Sequence, residues 1–378
     1  MLKDCCCRFI VIFAIMTSNH FFFILSQWYK THARDLPWRH TLDPYRIWLS
    51  EIILQQTRIS QGMAYWQRFV ERWPTVEDLA NATEDEVLKE WQGLGYYSRA
   101  RNLHYAAKQI VALGHFPNTL AEIRQLKGVG DYTAAAIASF AFGIKAAAVD
   151  GNFYRVLSRI YGIDTPIDTT VGKKTFAALA DSLIKDVPDA EPSPFGGMMS
   201  GASLFNQAVM DFGATQCTPQ SPCCDDCPFV EECVAYRSNT IASLPVKKGK
   251  TKVATRHLIY IYVRCNGYTA IHRRGAGDIW QGLWEPPLFE DKSLPEWKGK
   301  LTLLASGVKH VLTHRILLAD FYCLDTDTRP TLPDDYVWIP EKELKNYAVP
   351  RLVERLFKVL FAVAAPSGGH QPERQHIN

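Results

Sequence analysis

Two features that would settle the class of this protein at once are missing from its sequence. Lys and Arg number 42 against 39 Asp and Glu, a net charge of only +3, so overall charge does not indicate a nucleic-acid partner. Such a partner would need a local basic face. The apolar runs near the N-terminus, at residues 8–16 and 21–25, fall well short of the roughly 20 residues that a membrane-spanning helix needs. The sequence therefore predicts no membrane association.

The N-terminus also lacks a clear processing signal. Lys3 and Arg8 flank or precede the apolar residues, as in a signal peptide, but no small-residue cleavage site follows. We expect residues 1–20 to be an N-terminal extension outside the fold, and the residues before about Met16 to be an upstream translational extension. Residues 21–29 are then predicted to form the first amphipathic helix.

An evenly spread cysteine framework, typical of small secreted proteins, is absent as well. The ten cysteines comprise residues 5–7, a group of five between Cys217 and Cys233, and the isolated Cys265 and Cys323. Five cysteines within seventeen residues indicate metal binding in a reducing compartment. We therefore expect a cytoplasmic protein.

A chain of 378 residues suggests two domains. Helical periodicity and two capping boxes, which begin at Thr83 and Thr119, predict a mainly α domain over residues 21–237. Residues 238–253 contain Pro245 and four lysines without periodicity and are predicted to be a linker. Residues 254–365 alternate in the manner of strands and end in an amphipathic helix, which predicts an α+β domain. Residues 366–378 are expected to be a flexible tail.

Within these domains, two segments have a distinctive composition. Residues 187–202 are rich in Pro, Gly, Ser and Met and are predicted to be a flexible insertion. Residues 257–264 and 268–272 are predicted to be two strands joined as a hairpin by Cys265-Asn266-Gly267. Further strands are expected at residues 316–324 and 336–339, and a helix at 351–362.

The strongest single motif is Cys217-x6-Cys224-x2-Cys227-x5-Cys233. Four thiolates this close can wrap one compact soft-metal centre, and the C-x2-C step lets two sulfurs bind from one turn. Cys223 is an extra cysteine outside this spacing. A structural zinc site and unpaired buried cysteines are the alternatives on spacing alone.

A glycine-rich turn, Gly128-Val129-Gly130, separates two predicted helices. Its glycines allow a tight turn with exposed backbone N–H groups, and the following helix N-terminus favours an anion such as a DNA phosphate. A Gly-x-Gly turn is more often only structural, so its position between two helices is what favours phosphate binding.

Two carboxylates lie in apolar surroundings. Glu51 interrupts an otherwise apolar helical segment, and Asp150 follows the apolar residues 146–149. Burial raises the pKa of a carboxyl group and can make it an acid near neutral pH. Each residue alone is more often a helix cap or solvated.

Taken together, several motifs resemble those of the MutY and endonuclease III family of DNA glycosylases. In order, they are WLSEIILQQT at 48–57, GLGYYSRARNL at 93–103, the Gly-Val-Gly turn, VDGN at 149–152, FNQAVMDFGA at 205–214 and the cysteine loop. The resemblance implies a helix-hairpin-helix glycosylase domain in which Cys217, Cys224, Cys227 and Cys233 hold one [4Fe–4S] cluster. Lys127 stands where the family usually has proline.

The MutY branch of the family implies specific roles. Glu51 protonates adenine and later activates water, and Asp150 stabilises the cationic sugar, as paired carboxylates do in glycosidases. Asn152 and Tyr132 support these two carboxylates. The residues implied to line the pocket for a flipped adenine are Trp38, Arg39 and Gln207. The residues implied to contact DNA are Gly128, Val129, Gly130, Gln56 and Tyr96.

One position separates the two branches. Endonuclease III has a lysine two residues after the second glycine, whose amine forms a Schiff base and cuts the strand. Tyr132 occupies that position here, and tyrosine cannot form an imine. The chain is therefore predicted to be a monofunctional glycosylase.

The second domain is similar to the Nudix-like domain of MutY proteins, with a matching stretch at residues 273–287. It lacks the R-E-x-x-E-E core that holds Mg²⁺ in Nudix hydrolases, so no pyrophosphatase activity is expected. The family turn that probes 8-oxoguanine corresponds to Leu312-Thr313-His314, which implies that Thr313 and His314 recognise 8-oxoguanine. Ordinary strand-end residues are the alternative.

These observations predict a bacterial, nucleoid-associated enzyme that acts as a monomer. Its predicted substrate is double-stranded DNA in which adenine is mispaired with 8-oxoguanine or guanine. Two alternatives remain: an endonuclease III-like glycosylase and lyase for oxidised pyrimidines, and a non-catalytic DNA-binding protein with a structural zinc.

Overall fold

The computed structural model describes residues 16–249, 253–290 and 293–363. Its contacts divide these residues into two compact units. The helical unit combines residues 16–82 with 102–249, and the sheet unit combines residues 83–101 with the described residues from 253 onward. Residues 1–15 and the predicted tail at 366–378 lie outside the described residues. Among those described, no helix is both long enough and apolar enough to cross a bilayer.

The helices occur in the predicted part of the chain and confirm a mainly α first half. In chain order they are α1 (Ser18–His32), α2 (Pro44–Leu54), α3 (Ile59–Arg72), α4 (Val76–Asn81), α5 (Glu84–Trp91), α6 (Ser98–Leu113), α7 (Leu120–Ile123), α8 (Asp131–Phe142), α9 (Gly151–Tyr161), α10 (Thr170–Lys185), α11 (Gly201–Asp211), α12 (Val234–Arg237) and α13 (Arg351–Val363).

Side-chain caps explain where several of these helices begin. The hydroxyl of Thr83 accepts the N–H of Glu86, whose carboxylate accepts the N–H of Thr83, so the predicted capping box forms. The Thr119 hydroxyl accepts the N–H of Glu122 in the same way. Thr17 caps α1, which therefore begins at Ser18. The first helix, predicted at residues 21–29, therefore begins three residues earlier and continues to His32.

The core of the helical unit lies between α1, α9, α10 and α11. Its rings include Phe21, Phe153, Phe205, Phe212 and Phe229, all at most 1% exposed, which meet in tilted and edge-to-face pairs. Such a core holds α9 and α11 rigidly. The start of α9, which carries Asp150 and Asn152, is thereby fixed.

Two further features of the backbone position the segment before Asp150 and the start of the cysteine loop. Helix α8 is alanine-rich and packs its small side chains against Ala146 and Ala148, which lets the segment before Asp150 approach the helix closely. Helix α11 ends in a π-helical turn, Phe212–Gln216, which leads directly into Cys217.

The sheet unit contains strands β3 to β9. Their bounds are β3 (Ala254–Arg264), β4 (Tyr268–Arg273), β5 (Trp284–Glu285), β6 (Leu288–Phe289), β7 (Lys300–Val311), β8 (Arg315–Asp325) and β9 (Tyr336–Pro340), while β1 (Glu191–Pro192) and β2 (Met198–Met199) belong to the helical unit. One sheet has the order β6-β3-β8-β7, with β3 and β8 parallel, and the other has the order β5-β4-β9. The core of the sheet unit lies between these strands and helix α13, whose side chains Leu352 and Leu356 are buried in it. The predicted α+β character is confirmed.

Two strand predictions differ from the structure. Asn266 and Gly267 adopt the positive φ angles of a tight turn, but only Cys265 and Tyr268 bridge across it. Strands β3 and β4 then diverge into different sheets, so the predicted two-strand hairpin was wrong beyond its turn. Strand β7 was missed because it is a mostly exposed edge strand, interrupted by bulges, with little alternation of burial.

Candidate active site

A cavity of about 850 Å³ opens in the helical unit, and both predicted carboxylates line it. Glu51 enters from α2 and Asp150 from the start of α9. Tyr132 and Asn152 line the same cavity. The four side chains to which the sequence assigned the chemistry therefore face one space, although they come from three separate segments of the chain.

Glu51 is held in a nearly dry environment. It is 7% exposed, and the hydroxyl of Tyr132 donates a hydrogen bond of 2.8 Å to its Oε2. Burial raises the pKa of Glu51 to about 7, the hydrogen bond from Tyr132 opposes the rise, and the charge of Asp150 adds to it. Close to neutral pH, Glu51 therefore exists in both forms and can either donate or accept a proton.

Asp150 is the N-cap of α9. Its Oδ1 accepts the backbone N–H groups of Asn152 and Phe153 at 2.8 and 2.9 Å, and its Oδ2 accepts the side-chain amide of Asn152 at 2.6 Å. Burial raises the pKa of Asp150, whereas these three hydrogen bonds and the nearby charge of Arg155 act in the opposite direction. The donors stabilise a carboxylate that faces the cavity.

Asn152 is held in turn by Arg155. The Arg155 guanidinium donates to Oδ1 of Asn152 at 2.7 Å and to the backbone oxygen of Cys217 at 2.7 Å. Replacing the hydrogen of Gly213 with a Cβ would place that atom 2.5 Å from the Cβ of Asn152, so the π-helical turn packs directly on this residue. The π-helical turn before the cysteine loop therefore sets the position of Asn152, whose side-chain amide donates to Asp150.

The side chains predicted to hold a flipped adenine also line the cavity, but two of them use their polar groups elsewhere. The guanidinium of Arg39 makes two bonds of 2.7 Å to the fully buried Asp211. Oε1 of Gln207 accepts the Tyr29 hydroxyl, and its amide nitrogen donates to Ser203. Trp38 offers an apolar face and is 8% exposed.

Sequence reasoning missed residues that line this cavity and one that supports it from behind. Asp211 is fully buried and pairs with both Arg34 and Arg39, which line the cavity. The segment predicted to be a flexible insertion forms the short β1–β2 hairpin and contributes Phe195, Met198 and Met199 to the wall. Its Pro, Gly and Met content indicated a turn and apolar surface but not where they would lie.

Gln56 lies at the rim of the same cavity. It is exposed and has a φ of 54°, a conformation that L-residues rarely adopt. Such backbone strain is often found where a side chain must be presented to a ligand.

The glycine-rich turn forms between α7 and α8. Gly128 has a φ of 80°, and a Cβ there would lie 2.7 Å from the Cβ of Asn102, so only glycine fits. Gly130 is the N-cap of α8, and Val129 is buried beneath the turn. The turn therefore presents exposed glycine backbone at the start of a twelve-residue helix, where an anion is favoured.

Four cysteine thiols are gathered beside α9 and α12. Cys217, Cys224, Cys227 and Cys233 are free thiols, and each of the last three senses the charge of Cys217. Arg159 donates to the sulfur of Cys217 at 3.4 Å, and backbone N–H groups act on Cys227 and Cys233. In the described part of the chain, no group of three or more His, Cys, Asp or Glu side chains is arranged to hold a metal ion.

The sheet unit contains a second cavity, of about 480 Å³. Thr313 and His314, predicted to recognise an oxidised base, line it together with Tyr96, Trp280 and His310. The hydroxyls of Tyr96 and Thr313 are 2.8 Å apart, and Tyr96 has a φ of 48°. The structure thus brings two predicted DNA-contacting side chains together within the sheet unit.

Comparisons with known proteins find relatives of both parts of the chain. A profile described as HhH-GPD superfamily base excision DNA repair protein matches residues 49–179, and one described as NUDIX domain matches residues 259–359. An adenine DNA glycosylase of Buchnera aphidicola subsp. Baizongia pistaciae is 33% identical over 80% of this chain and 85% of its own length. An adenine DNA glycosylase of Mus musculus is 31% identical over 89% of this chain and 76% of its own length.

Among solved structures, a thermostable thymine-DNA glycosylase resembles the chain with a TM-score of 0.50 and 32% identity. The likeness covers 58% of this chain and 97% of that one. This solved structure therefore matches a smaller part of the chain than either adenine DNA glycosylase does.

Proposed function

The chain belongs to the adenine DNA glycosylase family, and from that membership we propose that it hydrolyses the N-glycosidic bond of adenine mispaired with 8-oxoguanine or guanine in double-stranded DNA. The observation that carries this proposal is the shared cavity of Glu51 and Asp150. A cavity of about 850 Å³ has room for an extruded nucleotide, and an enzyme must take a base out of the duplex to reach its glycosidic bond.

In the proposed reaction, protonated Glu51 gives its proton to N7 of adenine, and the bond between the base and C1′ of the sugar breaks. The electron pair of that bond leaves with the base. The sugar becomes cationic, and the carboxylate of Asp150 stabilises it electrostatically or by a transient bond. Glu51, now ionised, takes a proton from water as the water oxygen bonds to C1′, which restores the acid.

Tyr132 and Asn152 act through these two carboxylates. Tyr132 donates to Glu51 and favours its ionised form, and Asn152 donates to Asp150. Because Tyr132 offers a phenol and no amine, the strand remains intact after base release. The alternative, an endonuclease III-like lyase, needs an amine at this position.

Removal of the Tyr132 hydroxyl is expected to change the pH dependence of base release. In Tyr132→Phe, the pKa of Glu51 rises because a hydrogen bond that lowers it is lost. Glu51 then stays protonated to higher pH. In a plot of the single-turnover rate against pH, the decline on the alkaline side therefore moves to higher pH. Rates measured from about pH 5 to 9 test this. A decline at unchanged pH contradicts the assigned role of Tyr132.

We further propose that the four cysteines hold one [4Fe–4S] cluster. The chemistry of the donors supports this proposal, because the four thiols are free, belong to one short loop and supply the soft ligands that iron–sulfur clusters use. N–H donors act on three of the sulfurs. When bound, the cluster supplies iron–thiolate bonds that tie the loop together. Arg159 and the backbone donors stabilise the negative charge on the sulfurs.

Cys227→Ser is expected to lose most of its iron and to melt at a lower temperature than the parent protein, because one of four thiolates is missing. Iron and acid-labile sulfide are measured per chain in the purified protein. Cys223→Ser is the matched control, since Cys223 is exposed and outside the spacing. Equal iron loss in both variants, or zinc in place of iron, contradicts the assignment.

Recognition of 8-oxoguanine is assigned to the cavity of the sheet unit. Thr313 and His314 supply a hydroxyl and an imidazole, and Tyr96 supports Thr313 and offers a ring for insertion beside the damaged base.

We also propose a helical domain at residues 21–237, a linker at 238–253 and a Nudix-like domain at 254–365. The protein is further proposed to be a monomer in a reducing, cytoplasmic location.

Thr313→Ala is expected to reduce the preference for adenine opposite 8-oxoguanine over adenine opposite guanine by several fold, since one discriminating hydrogen bond contributes about 1 kcal/mol. The rates on both duplexes are compared in parallel. Thr328→Ala, an exposed threonine of the same unit, is the control. A fall of both rates by the same factor shows that Thr313 does not discriminate 8-oxoguanine from guanine opposite adenine.

One experiment tests the proposed function as a whole. Duplexes with adenine opposite 8-oxoguanine, adenine opposite guanine, and thymine glycol are offered to the purified protein, and strand breaks are scored before and after alkali. We expect breaks only after alkali and only for adenine duplexes. Cleavage of thymine glycol duplexes without alkali identifies the lyase alternative.

A further inference from the structure

The β1–β2 hairpin is a built part of the catalytic cavity. Glu191 pairs with Met199 and Pro192 with Met198, and Ser193 and Gly197 close the turn with a backbone bond of 3.0 Å. Gly196 and Gly197 have φ angles of 94° and 71°, which this reversal requires. We call residues 191–199 the cavity hairpin.

The segments on both sides of the cavity hairpin are fixed at the start of α11. A Cβ on Gly201 would lie 2.0 Å from the backbone oxygen of Pro188, so the incoming chain packs directly on the start of α11. Ser200 caps α11 by accepting the N–H of Ser203 at 3.0 Å. These contacts therefore hold the hairpin in a defined position at the cavity.

The cavity hairpin adds an apolar wall to a cavity whose base is polar. Phe195 and the two methionines line the same space as Glu51. The ring of Phe195 lies 5.0 Å from that of His40, centre to centre, and His40 is bonded to Asp35. Met198 is 65% exposed, so most of its apolar surface is free to be covered by a ligand in the cavity.

We propose that the cavity hairpin packs against the extruded adenine nucleotide and that Phe195 is a substrate-positioning residue. This inference rests on the proposed function. The flat apolar face of a purine suits an aromatic ring and flexible methionine side chains, which lose contact with water when the nucleotide enters. The wall then holds the glycosidic bond between Glu51 and Asp150 and limits the entry of water from that side.

Phe195→Ala is the test. The fold should be unaffected, since Phe195 is only half-buried, and thermal melting verifies this. We expect the single-turnover rate of adenine release to fall about 10-fold, because a small misplacement at the reacting centre is costly. Affinity for a duplex with a non-hydrolysable adenosine analogue should change less than 2-fold. The fluorescence of 2-aminopurine in place of adenine should show less extrusion.

Phe23→Ala is the matched control, because Phe23 is 60% exposed on α1 and outside the cavity. Phe195→Leu should recover part of the rate by restoring apolar contact. Full activity of Phe195→Ala, or a rate loss wholly explained by weaker duplex binding, overturns the inference. Absence of adenine release from the unmodified protein instead removes the proposed function itself, which separates the two failures.

Discussion

Glu51→Gln is expected to lower the single-turnover rate of adenine release by about 10³-fold, the loss typical of a missing general acid and base. Glutamine keeps the size of the side chain and can still accept the hydrogen bond from Tyr132. It has no proton to give to the departing base and cannot take one from water. The rate is measured with enzyme in excess over a duplex that contains adenine opposite 8-oxoguanine.

The pH dependence of the unmodified enzyme provides a second measure of the same residue. Burial raises the pKa of Glu51 to about 7, and the protonated form is the one that starts the reaction. Activity should therefore decline as the pH rises through about 7. A rate that stays constant well above that pH removes Glu51 from the role of acid.

The same substitution should stabilise the protein. Because the folded pKa of Glu51 exceeds its unfolded value of 4.5, the folded chain binds more protons between about pH 4.5 and 7, and stability falls as the pH rises through that window. Glutamine carries no charge to bury. Above pH 7 the free energy of unfolding of Glu51→Gln should exceed that of the parent by on the order of 1–3 kcal/mol.

Glu71→Gln is the control for these measurements, since Glu71 is exposed on α3 and outside the cavity. It should leave the rate, its pH dependence and stability unchanged. Retention of full activity by Glu51→Gln would contradict the central assignment, whatever its stability.

Asp150→Asn is expected to reduce adenine release by about 10²- to 10³-fold, because the negative charge that faces the cationic sugar is lost. Stability should fall by only about 1 kcal/mol, because asparagine is as good an N-cap as aspartate and its side-chain oxygen can still accept the N–H groups of Asn152 and Phe153. The one hydrogen bond that is lost is the bond from the side-chain amide of Asn152. A rate loss without a matching loss of stability separates the catalytic role of Asp150 from its role as a cap.

Asp43→Asn is the matched control, because Asp43 caps α2 by accepting the N–H of Tyr45 but does not line the cavity. Both variants are compared by single-turnover rate and by chemical denaturation. If Asp43→Asn and Asp150→Asn lose activity equally, the effect comes from capping, and Asp150 has no special part in the chemistry.

Local sequence patterns anticipated much of the structure for a clear reason. The capping box at Thr83 and Glu86 depends on hydrogen bonds between neighbours in the chain, and α5 begins where it predicts. Gly128 is needed where the backbone turns with a positive φ. The cysteine spacing likewise places four thiols in one loop because few residues separate them.

Other features depended on contacts between distant segments. Strand β7 shows little alternation, and its place in the sheet follows from pairing with β8. The turn at Asn266 and Gly267 formed, yet its strands joined different sheets, since each packs with other partners. Arg39 and Gln207 reached the cavity, but Asp211 and Tyr29 occupy their polar groups.

By itself, the sequence determined which groups could do the chemistry: an acid in an apolar helix, an aspartate at a helix start, and four closely spaced thiols. Tertiary structure alone decided that Glu51 and Asp150 share a cavity, that burial brings the pKa of Glu51 to about 7, and that an apparent insertion forms a wall of that cavity. The reason is physical: helix caps and turns form from short-range hydrogen bonds, whereas burial and convergence arise only when packed side chains from distant segments exclude water.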